Sequence, residues 1–131
     1  MTDRTPPVSG RAPMTGERYQ SERHFKVWAY SASHNRLLLR SAMEGRVPSR
    51  IDIYFPGVER MLLSPSYPGL NAAVASSEEA ALYRERYGEI GPHHTLFTLE
   101  PDLGSFVIAG VMQWYQDQGG YDDVSVFGRF D

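Results

Sequence analysis

From His24 onward, apolar and polar residues alternate with a period of two. Phe25, Val27 and Ala29 interleave with Lys26, Trp28 and Tyr30, the pattern of a half-buried strand whose successive side chains point to opposite faces. Ser31–Asn35 supplies turn formers and Arg36–Ser41 reads as a return strand, so the stretch predicts a β-hairpin. Arg50–Phe55 repeats the alternation, with Ile51, Ile53 and Phe55 on one face and Asp52 and Tyr54 on the other. Gly45, Pro48 and Ser49 mark the loop before it, and Pro56-Gly57 punctuates its end. Val58–Leu63 predicts a further strand, Ser64–Gly69 a loop with two prolines, and Leu70–Ala75 a short strand.

The period then changes. Ser76 and Glu79 form an S-x-x-E capping box, and Gly88 supplies a residue suited to a positive-φ stop, which together predict one short helix over residues 77–87. Glu78 and Glu79 fall in its first turn and Arg84 and Arg86 near its end, as the helix dipole favours. Ala80, Tyr83 and Tyr87 share a face, and three turns are stable only when docked on a sheet. Thr95–Glu100 and Ser105–Tyr115 flank Pro101-Asp102-Leu103-Gly104 as the strongest hairpin in the chain. Val124–Phe130 alternates as a closing strand. The expected fold is α+β, mainly β: a twisted antiparallel sheet of about six to seven strands with the single helix packed on it.

Composition adds the domain limits. The 131 residues, 41% of them hydrophobic, match one domain. Met1–Arg23, rich in Pro, Gly, Arg, Ser and Thr, carries too little apolar surface to offset the entropy of ordering and is expected to be a disordered arm, leaving 24–131 as the globular domain. The arm lacks the apolar run of a secretory signal, and Phe106–Met112 is far shorter than the roughly twenty residues of a membrane helix, so a cytoplasmic address and no membrane partner are expected. A net charge of −3 gives no global field toward nucleic acid. The absence of cysteine removes disulfides, thiolate chemistry and Cys-based metal sites. The cations are twelve arginines and one lysine, Lys26.

Candidate chemistry is sparse. Ser33 and His34 are adjacent, and in an extended chain they would diverge rather than form a nucleophile–base pair. No G-x-S-x-G elbow, G-x-G-x-x-G turn or P-loop is present, so no catalytic residue and no cofactor is assigned. His24, His34, His93 and His94 lack metal-ligand spacing, even with Asp52 added, and no metal is assigned. The segment Asp117–Asp123 is rich in carboxylates but lacks the calcium-loop pattern and its distal glutamate, which makes it a flexible turn.

One surface is left. If Phe25, Val27 and Ala29 face the core, the opposite face of the first three strands groups Trp28, Tyr30, Arg36, Arg40, Asp52 and Tyr54, aromatics and arginines of the kind that anchor interfaces. The competing expectation is that this face lies beneath the helix in a second core layer, with the arginines snorkelling outward. The run F-x-V-W-x-Y-x-x-S-H-x-x-L-L-L-R-S with I-D-I-x-F resembles small bacterial domains of the toxin-immunity style, over about a third of the chain. That resemblance carries no catalytic residues, and toxin neutralisation is one concrete version of the protein binding that the exposed face suggests. The leading expectation is thus a non-catalytic module that binds a protein partner or itself through the aromatic and arginine face. Two alternatives are a small-ligand sensor or small enzyme with a pocket between sheet and helix, titrating through His34, Asp52 or His93, and a structural subunit of a homo-oligomer that assembles by edge strands.

Overall fold

The computed structural model describes residues 12–42 and 48–130; the loop expected at Gly45 and the first eleven residues of the expected arm lie outside them. Among the described residues, eleven strands and one α-helix follow in order: β1 (Met14–Thr15), β2 (Arg18–Ser21), β3 (Phe25–Ser31), β4 (Arg36–Ser41), β5 (Arg50–Phe55), β6 (Arg60–Leu62), β7 (Ser66–Tyr67), β8 (Leu70–Val74), α1 (Ser77–Tyr87), β9 (Thr95–Glu100), β10 (Ser105–Ala109) and β11 (Gln113–Asp117), with a single 3-10 turn at Pro101–Leu103 between β9 and β10. The domain is mainly β with one helix, and its strands form two antiparallel sheets. Sheet A has the order β1-β11-β5-β4-β3-β7, and sheet B the order β2-β8-β9-β10-β6.

Two sheets arise where one was expected because the chain crosses between sheets repeatedly, and two of these crossings meet at neighbouring corners. After Phe55 it turns at Pro56-Gly57, where Gly57 takes φ +66°, and enters β6 of sheet B. After Ala109 it returns through Gly110, whose N–H donates to the Pro56 carbonyl at 2.9 Å. Ser105–Tyr115 is thereby divided into β10 and β11, which belong to different sheets. Residues 14–21, assigned to the arm by composition, form β1 and β2. They have few apolar side chains, but Tyr19 packs its ring against Phe25 and Trp114 at 6.3 and 5.1 Å.

The main core fills the space between the sheets, with Phe25, Leu37, Leu39, Ile51, Ile53 and Phe55 from sheet A facing Leu70, Ala72, Phe97, Leu99, Val107 and Ala109 from sheet B. These are the alternating positions of each strand, as burial of one strand face requires. A second cluster of Tyr83, Leu96, Leu103, Phe106 and Ile108 lies on the outer face of sheet B under α1. The helix matches the expected span, and both hydrogen bonds of the capping box are made: Ser76 Oγ accepts from Glu79 N at 3.1 Å and Glu79 Oε1 accepts from Ser76 N at 3.0 Å. It ends at Gly88 with φ +100°. No helix of the described residues is long and apolar enough to cross a membrane.

The outer face of sheet A is covered by something else. Beyond β11, residues 118–130 run back across it as an irregular strap, with only a bridge between Ser125 and Gly128 in place of the closing strand expected at Val124–Phe130.

Candidate functional site: a basic and aromatic cleft beside the strap

The register of sheet A decides which side chains share its outer face. Lys26 lies opposite Arg40, and Arg40 opposite Asp52, which in turn lies opposite Tyr115. Leu38 lies opposite Tyr54, and Arg36 follows the same alternation along β4. A β-bulge between Val27 and Ala29 inserts Trp28 and reverses the phase of β3 beyond it. Ala29 is consequently paired with Leu38, and Tyr30 with the core residue Leu37. Tyr30 ends at the rim, its hydroxyl donating to Asn35 Oδ1 at 3.1 Å. The structure therefore gathers Trp28, Arg36, Arg40, Asp52 and Tyr54 on one face and separates Tyr30 from them.

That face is not open to solvent as a whole, since its arginines hold the strap by main-chain carbonyls. Arg40 makes a two-pronged ion pair with Asp52, at 2.7 Å from Nε to Oδ1 and 3.1 Å from Nη2 to Oδ2, and both residues are only 2% exposed. Its Nη1 donates to the Tyr121 carbonyl at 3.1 Å. Arg36 donates to the Phe127 carbonyl at 2.9 Å and also to that of Arg129. Its guanidinium sits 4.5 Å from the Phe130 ring centre, while Tyr54 stacks on Phe127 at 4.5 Å. The face is a second core layer of sorts, but its cover is the strap rather than the helix, which packs on the other sheet.

Arg50 is a member of this face that sequence reasoning missed, although it shares the alternation of Asp52 and Tyr54. It pairs with Asp117 through Nε–Oδ1 and Nη2–Oδ2 contacts of 2.9 and 2.8 Å. Nη1 donates to the carbonyls of Gly120 and Asp123 at 3.1 and 2.8 Å. Burial opposes the charge of Arg50, but hydrogen bonding to Asp117 and the fields of Asp117, Asp52 and Asp123 outweigh it and raise its pKa. The carboxylate-rich loop that superficially suggests calcium thus wraps a cation from its own chain. Gly119 suits that wrapping, since a Cβ there would press on the Arg50 guanidinium.

Where the strap begins, it leaves a cleft of about 160 Å³ at the edge of the covered face. It is lined by the rings of Trp28 and Tyr121, by Ala42 and Ser41, and by Arg23, His24, Lys26 and Arg40. The Trp28 and Tyr121 rings meet edge to face at 5.0 Å and 73°, and the Arg40 guanidinium lies 5.0 Å from the Trp28 ring centre. Arg23 is unusual because its acceptors are neutral: Ser41 Oγ and Ser49 Oγ, each at 3.0 Å, and the Ser41 and Ser49 carbonyls at 3.3 and 2.5 Å. Burial lowers its pKa, partly offset by Tyr19, and no carboxylate among the described residues pairs with it.

A roomier hollow of about 370 Å³ lies on the outer face of sheet B beside the start of α1, the place expected for a pocket. It contains none of His34, Asp52 or His93, and its charged groups are committed. Glu79 caps the helix, Glu100 accepts from Ser64 and Ser105, and Arg18 donates to Gln20. Ser33 and His34 do meet, contrary to the extended-chain argument: Ser33 Oγ lies 2.8 Å from His34 Nδ1. Both belong to the turn after β3, where Asn35 at φ +52° reverses the chain and lets adjacent side chains converge. The pair is exposed, and no carboxylate among the described residues orients the imidazole. Those residues also contain no group of three or more His, Asp or Glu that could hold a metal. Compared with protein families, curated proteins and solved structures, the chain matches none significantly.

Proposed function

We propose that this protein is a non-catalytic binding module whose ligand presents an anionic group to the cleft between Trp28 and Tyr121. The observation that carries this reading is the charge balance of the cleft wall. Lys26 and Arg40 stand directly opposite each other on β3 and β4, an arrangement of like charges that destabilises a sheet unless it is compensated. Asp52 neutralises only Arg40, and Arg23 is held by neutral oxygens alone. Among the described residues, two positive charges therefore stay uncompensated around a cavity that an anion can enter. Spare donors are present as well. A guanidinium has five N–H groups, and Arg23 and Arg40 each retain at least one beyond the bonds described above.

The test uses the whole chain, following the Trp28 indole N–H by NMR during titration with acetate and with inorganic phosphate against chloride at fixed ionic strength. A saturable shift that weakens at least fivefold in Lys26→Ala supports the reading. A shift of equal size for acetate, phosphate and chloride defeats it.

Recognition of a partner protein is a second reading, favoured by Tyr121, Val124 and Val126, which the strap presents about half exposed on its outer side. In that case the cleft would receive an acidic side chain while the strap supplies apolar contact.

A further inference from the structure

Resting on the cleft being an anion site, we infer that its ligand is a small aromatic carboxylate with a single ring, the ring seated between Trp28 and Tyr121 and the carboxylate facing Lys26 and Arg23. Size sets the first limit. An apolar cavity of about 150 Å³ accepts benzene, and the cleft offers about 160 Å³, which admits one ring with its acid group reaching the mouth. A nucleotide or a long acyl chain needs several times that space.

Shape sets the second. Trp28 and Tyr121 stand at 73° to each other, so they form a corner in which a third ring meets one indole or phenol face and one edge. Edge-to-face and offset contacts are the favoured aromatic geometries. Regular alternation aims Trp28 at the strap, and the bulge that follows it in β3 shifts the phase of the next residues, so that Tyr30 leaves this corner to the indole and Tyr121.

Charge sets the third. Arg40 has already spent its charge on Asp52 and one donor on the Tyr121 carbonyl, so it fixes the two rings in place. Among the described residues, Lys26 and Arg23 are the cations left for the ligand. Arg23 is immobilised by Ser41 and Ser49, whereas Lys26 is exposed at the rim and free to close on a carboxylate. The division of labour is thus a rigid ring corner with cations at its mouth.

The experiment compares benzoate, acetate and cyclohexanecarboxylate in titrations of the whole chain, read at the Trp28 indole and by calorimetry. Trp28→Leu identifies that indole against the one of Trp114. Benzoate is expected to bind at least tenfold tighter than either other acid, to lose that advantage in Trp28→Leu, and to weaken at least fivefold in Lys26→Ala, whose denaturation midpoint stays in place or rises because the repulsion between Lys26 and Arg40 is gone. If acetate binds as tightly as benzoate, the ring assignment is overturned while the anion site stands, the result expected for an acidic side chain of a partner. Equal affinity for cyclohexanecarboxylate overturns the aromatic assignment alone. No saturable response to any of the three acids removes both the ring assignment and the anion site.

Discussion

Replacing Arg50 with Met tests whether the strap is held by the arginines of the sheet beneath it. The side chain is 3% exposed and the Asp117 side chain 21%. It makes two bonds to that carboxylate and two of normal length to strap carbonyls. Hydrogen bonds to charged groups contribute roughly 1.5–3 kcal/mol each, so a naive sum would exceed 6 kcal/mol. Two effects reduce it: Asp117 and the carbonyls regain water once the strap lifts, and the cost of desolvating the guanidinium disappears. A loss of about 3 kcal/mol results, at the low end of the roughly 3–5 kcal/mol for breaking a buried pair. With a urea slope of about 2 kcal/mol/M, the midpoint should fall by about 1.5 M. Amide exchange at Asp123 and Gly128, which donate to Gly120 and Ser125, should accelerate on the order of a hundredfold, because the strap opens locally before the sheets unfold. A stability loss below about 1 kcal/mol together with unchanged protection at these two amides would refute the clamp.

Asp52→Asn leaves Arg40 charged at 2% exposure without its counter-ion, and denaturation should show a loss of about 3 kcal/mol or more. Gly119→Ala places a methyl against the Arg50 guanidinium and should loosen the strap by about 1–3 kcal/mol, seen as faster exchange at Asp123 with little change in the core of sheet B. Ser76→Ala removes one half of the capping box and should cost about 1 kcal/mol. Burial raises the pKa of Tyr83, with Arg60 opposing the shift and Glu59 reinforcing it. Its folded state thus holds the proton more tightly than the unfolded one, and the stabilisation is complete below the ordinary tyrosine value of about 10 and lost as pH rises through the folded value. Denaturation midpoints between pH 9 and 11 should fall less steeply in Tyr83→Phe, and an unchanged slope would count against this account.

The fold was legible wherever one local signal decided it. The period-2 runs of β3, β4 and β5 located three strands, and S-x-x-E with a distal glycine placed α1. Sheet membership was not legible, because Ser105–Tyr115 reads as a continuous apolar run and nothing local distinguishes a strand from a strand that crosses between sheets at Gly110. The candidate site failed at one residue for a comparable reason. Alternation groups Trp28 with Tyr30, but a bulge needs only one extra residue to reverse the phase, and Val27-Trp28-Ala29 carries no glycine to advertise it. Arg50 carried the right phase and was passed over because it opens its strand. The strap was read as a strand because Val124 and Val126 alternate. In the structure both are about half exposed, and the strap is held to the sheet by the rings of Phe127 and Phe130 and by main-chain carbonyls.

Those carbonyls explain why arginine is suited to this face. An irregular segment has no ladder in which to place its main-chain oxygens, and buried acceptors without donors are costly. A guanidinium can pair with a carboxylate on one side and still direct donors at carbonyls on the other, which a lysine ammonium cannot do in a fixed plane. Arg40 and Arg50 both work in this way, each satisfying an aspartate of the sheet and the backbone of the strap together. Arg40 in addition touches the Trp28 ring and the Tyr121 carbonyl, the two residues that form the corner of the cleft. A ligand that presses on that corner therefore acts on an anchored residue of the strap. Occupancy of the cleft and docking of the strap should be energetically linked, so that any ligand favouring the closed corner slows amide exchange at Asp123 by the factor its differential affinity allows.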